Sequence, residues 1–285
     1  MSTFLVWTAL GFYGLAIASS LPSVIRRRER LTSTTLAAVG AGLSSHLVAL
    51  VLATASRNRL PFADVGSATS LLAFLVGIAF LASYVKYRIM TLGIFILPLI
   101  FVLTLGSLLQ GEVDFESAPF RTRWLIVHTS SLFVGYAALF VTFAASLMYL
   151  IQEKELKSRK PRAFYYRLPS LEILDDLAFK TLILGLPFVT LGIISGFLWA
   201  AQTWEGLWGL DPKIVASVVT WAVYMVIFSA RLAGRLHGRR AAILALVGFA
   251  ALIFTFLGVT YASSVHGYFP TQEGSLEYWG GPRLG

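Results

Sequence analysis

Two histidines stand where they could bind one ligand from opposite sides. His128 lies in the first turns of a long apolar segment, and His266 directly follows another such segment. A neutral imidazole is a good ligand for iron, and imidazoles on different helices can bind the iron of a porphyrin from its two faces. Neither histidine has a further nitrogen, sulfur or carboxylate ligand at helical spacing, which disfavours a zinc site.

A tryptophan-rich segment and several cations complete the candidate site. A porphyrin needs a broad, flat apolar surface, which indole rings provide at a low entropy cost, and its propionates need cations. The tryptophans are Trp199, Trp204 and Trp208, which precede Asp211, and the cations are Arg121, Arg123 and Lys213. By residue type alone, these groups together would suit haem.

Each of these features also has a simpler interpretation. Tryptophans near a membrane–water boundary are commonly interfacial anchors, and a histidine at a helix end is often only a hydrogen-bonding residue. Asp211 followed by Pro212 is typical of the N-cap and first residue of a helix, which needs no ligand. Residue types and spacing leave both interpretations open.

The elements that must position these residues are membrane helices. The chain has 285 residues, of which 57% are hydrophobic and 13% are charged, and its mean hydropathy is +0.76; soluble domains carry about 25% charged residues. Eight apolar segments are long enough to cross about 30 Å of hydrocarbon. They cover residues 3–25, 32–54, 65–85, 89–109, 124–151, 180–202, 213–233 and 241–262. We expect one all-α integral membrane domain, residues 1–285, with a short tryptophan-rich outer loop.

The distribution of basic residues predicts the orientation of this domain. Most of the 23 lysines and arginines fall in the connections after the first, third, fifth and seventh segments. The positive-inside rule then places these connections in the cytoplasm, and both termini, His128 and His266 outside. The basic clusters therefore act as topology signals and not as a nucleic-acid surface. The connection at 152–180 could hold a short interfacial amphipathic helix.

The remaining histidines and the lack of cysteine narrow the chemistry further. His46 lies inside the second apolar segment, where a histidine is costly enough to indicate a function. His237 lies in a basic connection and is expected to be solvated. The chain contains no cysteine, which excludes disulfides, thiolate metal sites and a cysteine nucleophile.

Several of these residues match a known family. The segment from Gly196 to Lys213, with Trp221 beyond it, resembles the tryptophan-rich WWD signature of the cytochrome c assembly family, and in particular its system II membrane subunit of the CcsA or ResC type. His128 and His266 look like the two external histidines of that family. The likeness covers about 124–268, which we take as a haem-handling core.

The resemblance implies a function in cytochrome c maturation. Haem b would be held at the outer face of a bacterial plasma membrane, with its iron between His128 and His266, and presented to the CxxCH thiols of an apocytochrome c. A Ccs1/ResB-type membrane protein would be the partner in a holocytochrome c synthase complex, to which this chain adds no nucleophile. His46 resembles the intramembrane histidine on the family's route across the bilayer, whereas Ser229 stands where a second such histidine is expected.

One alternative function follows from a different segment. Residues 168–172 resemble the HemX-type relatives of the family, which share eight spans. This likeness implies a non-enzymatic membrane regulator or scaffold of haem biosynthesis that acts through its cytoplasmic connections.

Overall fold

A computed structural model describes most of the chain as long helices. It describes residues 2–26, 29–57, 65–109, 123–158, 165–203, 209, 211–255, 268–270 and 276–278. The helices are α1 (Ser2–Arg26), α2 (Glu29–Arg57), α3 (Val65–Tyr87), α4 (Thr91–Leu109), α5 (Arg123–Leu156), α6 (Leu171–Thr203), α7 (Pro212–Leu232) and α8 (Gly238–Ile253). Within these ranges seven helices, α1 to α7, are long and apolar enough to cross a membrane. The protein is therefore a multi-pass, helical membrane protein.

The eighth span remains a prediction, and the structure adds a short hairpin that was not expected. The described part of α8 has 16 residues, which is shorter than the roughly 20 that a span needs, so the span at 241–262 stays a prediction. Two three-residue strands, β1 (Tyr268–Pro270) and β2 (Leu276–Tyr278), pair in antiparallel fashion, and Phe269 lies opposite Glu277. A purely helical reading of the sequence did not predict this hairpin.

The connection that the sequence predicts at 152–180 is much shorter in the structure, so its predicted bounds are wrong. Helix α5 continues to Leu156 and α6 already begins at Leu171, with a 3-10 turn at Tyr165–Arg167 between them. Two of the three carboxylates in the first turns of α6 are paired. Asp176 forms a salt bridge with Lys180 one turn later, at 2.8 Å. Residues 159–164, within which an interfacial helix could also have fallen, lie outside the described part.

A second carboxylate of the first turns of α6, that of Asp175, forms a largely buried ion pair. Arg231 of α7 donates to both carboxylate oxygens of Asp175, at 3.0 and 2.9 Å, and its guanidinium lies 4.6 Å from the ring centre of Phe179. A charge in this position is tolerated only when it is paired and hydrogen-bonded. The pair joins the last turn of α7 to the first turns of α6.

Further contacts bring several helix connections together at one end of the bundle, which we call the basic end. Arg167 donates to the carbonyl oxygen of Ile25 at 2.8 Å, and Thr91 donates to the carbonyl oxygen of Arg167 at 3.2 Å. The end of α1, the start of α4 and the segment before α6 therefore meet there. The opposite end contains the first turns of α5, the last turns of α6 and the start of α7.

Helices α5 and α6 form the most extensive antiparallel pair of the bundle. Their backbones approach so closely that a Cβ atom on Gly135 would lie 3.0 Å from the carbonyl oxygen of Gly185 and 2.6 Å from a methyl carbon of Val189. In lipid, the hydrophobic effect does not drive helices together. Small residues at a crossing allow close backbone packing, which stabilises the pair instead. Helices α3, α4, α7 and α8 pack against this pair, whereas α1 and α2 pack on each other and on α3 and α4.

His46 connects three helices away from this pair. Its side chain is 0% exposed, its Nδ1 lies 3.2 Å from the hydroxyl of Tyr13 in α1, and its Nε2 lies 2.8 Å from the hydroxyl of Ser70 in α3. The ring of Phe74 lies against it edge-on, with ring centres 5.9 Å apart. Because no water is available in the hydrocarbon region, these polar groups must satisfy one another.

Replacing His46 by leucine should therefore destabilise the bundle. The change leaves the buried hydroxyls of Tyr13 and Ser70 without their partner and should lower the free energy of unfolding by about 1–3 kcal/mol. Ser44→Ala is the control, because Ser44 is exposed on the same helix and its loss should cost less than about 0.5 kcal/mol. Denaturant unfolding in detergent micelles measures both; equal midpoints for the two variants would show that the hydrogen bonds of His46 contribute nothing.

Candidate functional site

The imidazole of His128 has a defined orientation and tautomer. It is partly buried in the first turns of α5, and its Nδ1 lies 2.7 Å from the carbonyl oxygen of Gly192 in α6. A carbonyl oxygen only accepts hydrogen bonds, so Nδ1 carries the proton in this contact. In the neutral ring the lone pair is then on Nε2, which is the nitrogen that can bind a metal.

Two glycines of α6 make this contact possible. A Cβ atom on Gly196 would lie 2.5 Å from Nδ1 of His128 and 2.6 Å from Cε1, and one on Gly192 would lie 2.6 Å from a methyl carbon of Leu132. No real Cβ atom approaches so closely, so the imidazole lies directly against the backbone of α6. The carbonyl oxygen of Gly192 also accepts from the hydroxyl of Ser195 at 3.0 Å, so it is a shared acceptor.

Trp199 lies on the same side of α6 as these glycines. The positions 192, 196 and 199 follow the i, i+4, i+7 spacing of one helix face. The indole is therefore placed about one turn beyond the His128 imidazole, nearer the end of α6. Its side chain is only 7% exposed. A large flat apolar group therefore lies on the same face of α6 as the two glycines that contact His128 and Leu132.

Asp211 has a clear structural role. It is 5% exposed, and its Oδ1 accepts from the backbone N–H groups of Lys213 and Ile214, at 2.9 and 3.3 Å. Pro212 occupies the first helical position. The N-cap interpretation is thus confirmed: the carboxylate satisfies two N–H groups at the start of α7 that have no partner in the helix.

Helix α7 is then fixed against both of its neighbours. The indole N–H of Trp221 donates to the hydroxyl of Thr190 in α6 at 2.9 Å. The hydroxyl of Thr220 lies 3.0 Å from that of Thr255, two residues beyond the end of α8. The tryptophan-rich segment therefore joins two helices, α6 and α7, that are held together by hydrogen bonds. Lys213 lies in the first turn of α7 and is partly buried.

The structure brings together some of the sequence-predicted site residues and leaves others unplaced. His128 and Trp199 lie at the same end of the α5–α6 pair, and Asp211 and Lys213 begin the helix that packs on α6. His46 belongs to the separate polar group with Tyr13 and Ser70. Trp204, Trp208, His266, Arg121 and the side chain of Arg123 lie outside the described residues.

Reasoning from the sequence missed the packing role of Gly192 and Gly196, which set the position of His128. A signal was available: Gly-x-x-x-Gly within an apolar helix is typical of close helix packing in membranes. The hydrogen bond to the carbonyl oxygen of Gly192 had no such signal, because any helical residue has a carbonyl group.

The geometry is that of a helical membrane protein with an oriented histidine at one end of its central helix pair, and the comparisons identify the family. The family described as Cytochrome C assembly protein matches residues 35–266. This is most of the chain, so the chain belongs to that family. The match begins well before the 124–268 region in which the sequence resemblance was noticed.

Curated relatives assign the chain to the CcsA type. It is similar to "Cytochrome c biogenesis protein CcsA" of Guillardia theta, at 28% identity over 215 residues, which are 67% of this chain and 71% of that protein. The protein of the same name from Synechococcus sp. (strain CC9902) is 33% identical over 170 residues, which are 52% of this chain and 56% of that protein. The one from Chlorella vulgaris is 24% identical over 94% of this chain and 92% of that protein.

A solved structure shares the fold. The chain superposes on "Cytochrome c Heme Lyase CcmF" with a TM-score of 0.65 at 18% sequence identity, over 90% of this chain and 46% of that chain. At this identity the likeness concerns the fold. The expectation of a cytochrome c assembly protein of the CcsA type is confirmed, whereas the residues that form its site remain predictions.

Substituting Gly196 by alanine should disturb the His128 site directly. The new Cβ atom would overlap the imidazole, so either the ring leaves the carbonyl oxygen of Gly192 or the helices separate, and we expect a loss of about 1–3 kcal/mol in stability. Gly106→Ala in α4 is the matched control, because nothing lies within 4 Å of a Cβ atom there. Thermal unfolding followed by tryptophan fluorescence compares the two; a Gly196→Ala midpoint equal to that of the control would contradict the close contact.

Proposed function

We propose that this protein holds haem at the end of the bundle marked by His128 and presents it for attachment to apocytochrome c. The observation that supports this most directly is the hydrogen bond from Nδ1 of His128 to the carbonyl oxygen of Gly192. Ligating histidines usually donate their other N–H to a carboxylate or a backbone carbonyl, which sets the tautomer and raises the basicity of the ligand. Membership of the cytochrome c assembly family supplies the type of cargo.

The residue types assigned to this site would suit an iron porphyrin. His128 and His266 would hold the iron, and Trp199, Trp204 and Trp208 would line the ring. Arg121, Arg123 and Lys213 would pair with the propionates. Asp211 contributes indirectly and does not contact the haem. It caps α7 and so determines where the chain enters that helix after the tryptophan-rich segment.

The chemistry of attachment indicates haem b as the cargo and a second protein as the source of sulfur. When bound, haem b would supply two vinyl groups, and each thiol of a CxxCH sequence would add across one of them. The S–H bond and the C=C π bond are then replaced by one S–C and one C–H bond, so no oxidant is needed. This chain has no cysteine, so the thiols belong to the apocytochrome c. The chain binds and orients the cargo, and a Ccs1/ResB-type membrane protein completes the complex.

We place the His128 end outside a bacterial plasma membrane and the basic end in the cytoplasm. The excess of lysine and arginine in the connections of the basic end supports this orientation. Both ring nitrogens of His46 are hydrogen-bonded, one to Tyr13 and one to Ser70. His46 could therefore bind haem on a route across the membrane only if the haem iron took the place of one of these hydrogen-bond partners. The CcsA relatives favour this maturation function over that of a HemX-like regulator.

The axial assignment predicts the haem content of single variants. His128→Ala and His266→Ala should each lower the haem retained per purified protein by about tenfold, because second-shell changes alone commonly cost 10–100-fold in metal binding. His237→Ala is the matched control, because His237 is exposed at the N-cap of α8, at the basic end. Reduced-minus-oxidised absorption spectra measure the retained haem. Spectra like that of the wild type for both axial variants would reject this assignment.

The proposed function predicts covalent attachment that depends on the same end. In a host without its own maturation system, this protein with its partner should attach haem to a co-produced CxxCH apocytochrome, and His128→Ala should reduce the product by about tenfold or more. Mass spectrometry of the denatured cytochrome measures covalent haem. If Trp204→Ala, Trp208→Ala and Asp211→Ala leave the yield unchanged while substitutions in 152–180 abolish it, the regulatory alternative is favoured instead.

A further inference from the structure

A cavity of about 790 Å³ lies at the basic end, away from the His128 site. Its walls come from the end of α1, the start of α2, the turn between α3 and α4, and the segment that leads into α6. We propose that this cavity binds the head group of an anionic phospholipid. The proposal goes beyond the haem function and does not depend on it.

The charged groups of the cavity favour an anion. Arg88 and Arg167 line it and face one carboxylate, that of Glu29, while Thr32 and Ser33 add hydroxyl groups. Guanidinium groups bind phosphate through paired N–H donors in a fixed fork. The cavity therefore has an excess of positive charge and several donors suited to a phosphodiester.

Arg88 is held in this position by an unusual backbone conformation. Its φ is 57°, and among the described residues it is the one non-glycine residue with a positive φ. It directly follows α3, where a left-handed residue is usually glycine. Its backbone N–H donates to the carbonyl oxygen of Tyr84 at 2.8 Å, and its guanidinium lies 5.7 Å from the centre of the Tyr84 ring. An arginine in place of glycine here points to a function for its side chain.

Arg167 is fixed on the opposite wall. Its Nη2 donates to the carbonyl oxygen of Ile25 at 2.8 Å, and its own carbonyl oxygen accepts from Thr91 at 3.2 Å. A guanidinium has five N–H groups, and the bond to Ile25 uses one of them. The contact orients the group and leaves most of its donor capacity for a ligand.

The apolar part of the cavity favours a lipid over a free anion. Val24, Leu36 and Ile173 also line it, and Ile173 is 43% exposed on the outer surface of α6. The cavity lies at the ends of membrane-spanning helices, which is the depth of lipid head groups. A phospholipid matches both features, because its phosphate meets the arginines and its acyl chains follow the apolar wall.

Lipid binding to the purified, delipidated full-length protein tests the proposal. Native mass spectrometry in detergent compares phosphatidylglycerol, phosphatidylcholine and inorganic phosphate as probes. We expect saturable binding of phosphatidylglycerol. Arg88→Gly and Arg167→Ala should each weaken this binding about tenfold, because the loss of a hydrogen bond to a charged group typically lowers an affinity by at least that factor. Arg88→Gly keeps the left-handed turn and removes only the side chain, so the variant should fold and retain its haem spectrum.

The matched control is Arg235→Ala, which removes the same charge from the α7–α8 connection at the same end, where Arg235 is exposed. This variant should bind phosphatidylglycerol like the wild type. The proposal is overturned by equal binding of phosphatidylcholine, by the same loss in Arg235→Ala, or by inorganic phosphate that displaces the lipid at equal concentration. Displacement of phosphatidylglycerol by added haem at one equivalent also overturns it, since the cavity would then bind a tetrapyrrole.

Discussion

The close approach of α5 and α6 is the constraint on which the rest of this structure depends. Helices in lipid gain little from burying apolar surface against each other, so they associate through close packing and hydrogen bonds. Gly135 and Gly185 bring the two backbones together at mid-length, and Gly192 and Gly196 do so near one end. At that end the space that a side chain would fill is taken by the imidazole of His128. Helix packing and the position of the proposed ligand His128 thus depend on the same crossing.

The pairing of buried polar groups fixes the position of helices and side chains at both ends of the bundle. Buried polar groups in the membrane must be paired, and each pairing here also fixes the position of an element. Asp175 with Arg231 sets the first turns of α6, Asp211 sets the start of α7, and the carbonyl oxygen of Gly192 sets the ring of His128. Pairing that serves stability therefore also orients the groups available to a ligand.

Much of the architecture could be predicted from the sequence because membrane helices are encoded locally. A run of about 20 apolar residues is sufficient to predict a span, and seven of the predicted segments correspond to helices that are long and apolar enough to cross a membrane. The prediction was wrong where charges interrupt a helix. The start of α6 was placed at residue 180 instead of Leu171, because the partner of Asp175 is distant in sequence.

The sequence by itself determined that this is a multi-pass membrane protein of the cytochrome c assembly family, because hydropathy and the tryptophan-rich segment are both local patterns. It also predicted the capping residues Asp211 and Pro212, and it proposed His128 as a ligand. Only the tertiary structure decided which nitrogen of His128 carries the proton, that His46 is enclosed by Tyr13 and Ser70, and that Arg88 and Arg167 face one cavity. These features join residues far apart in the chain, and no local pattern encodes a hydrogen bond to a backbone carbonyl group.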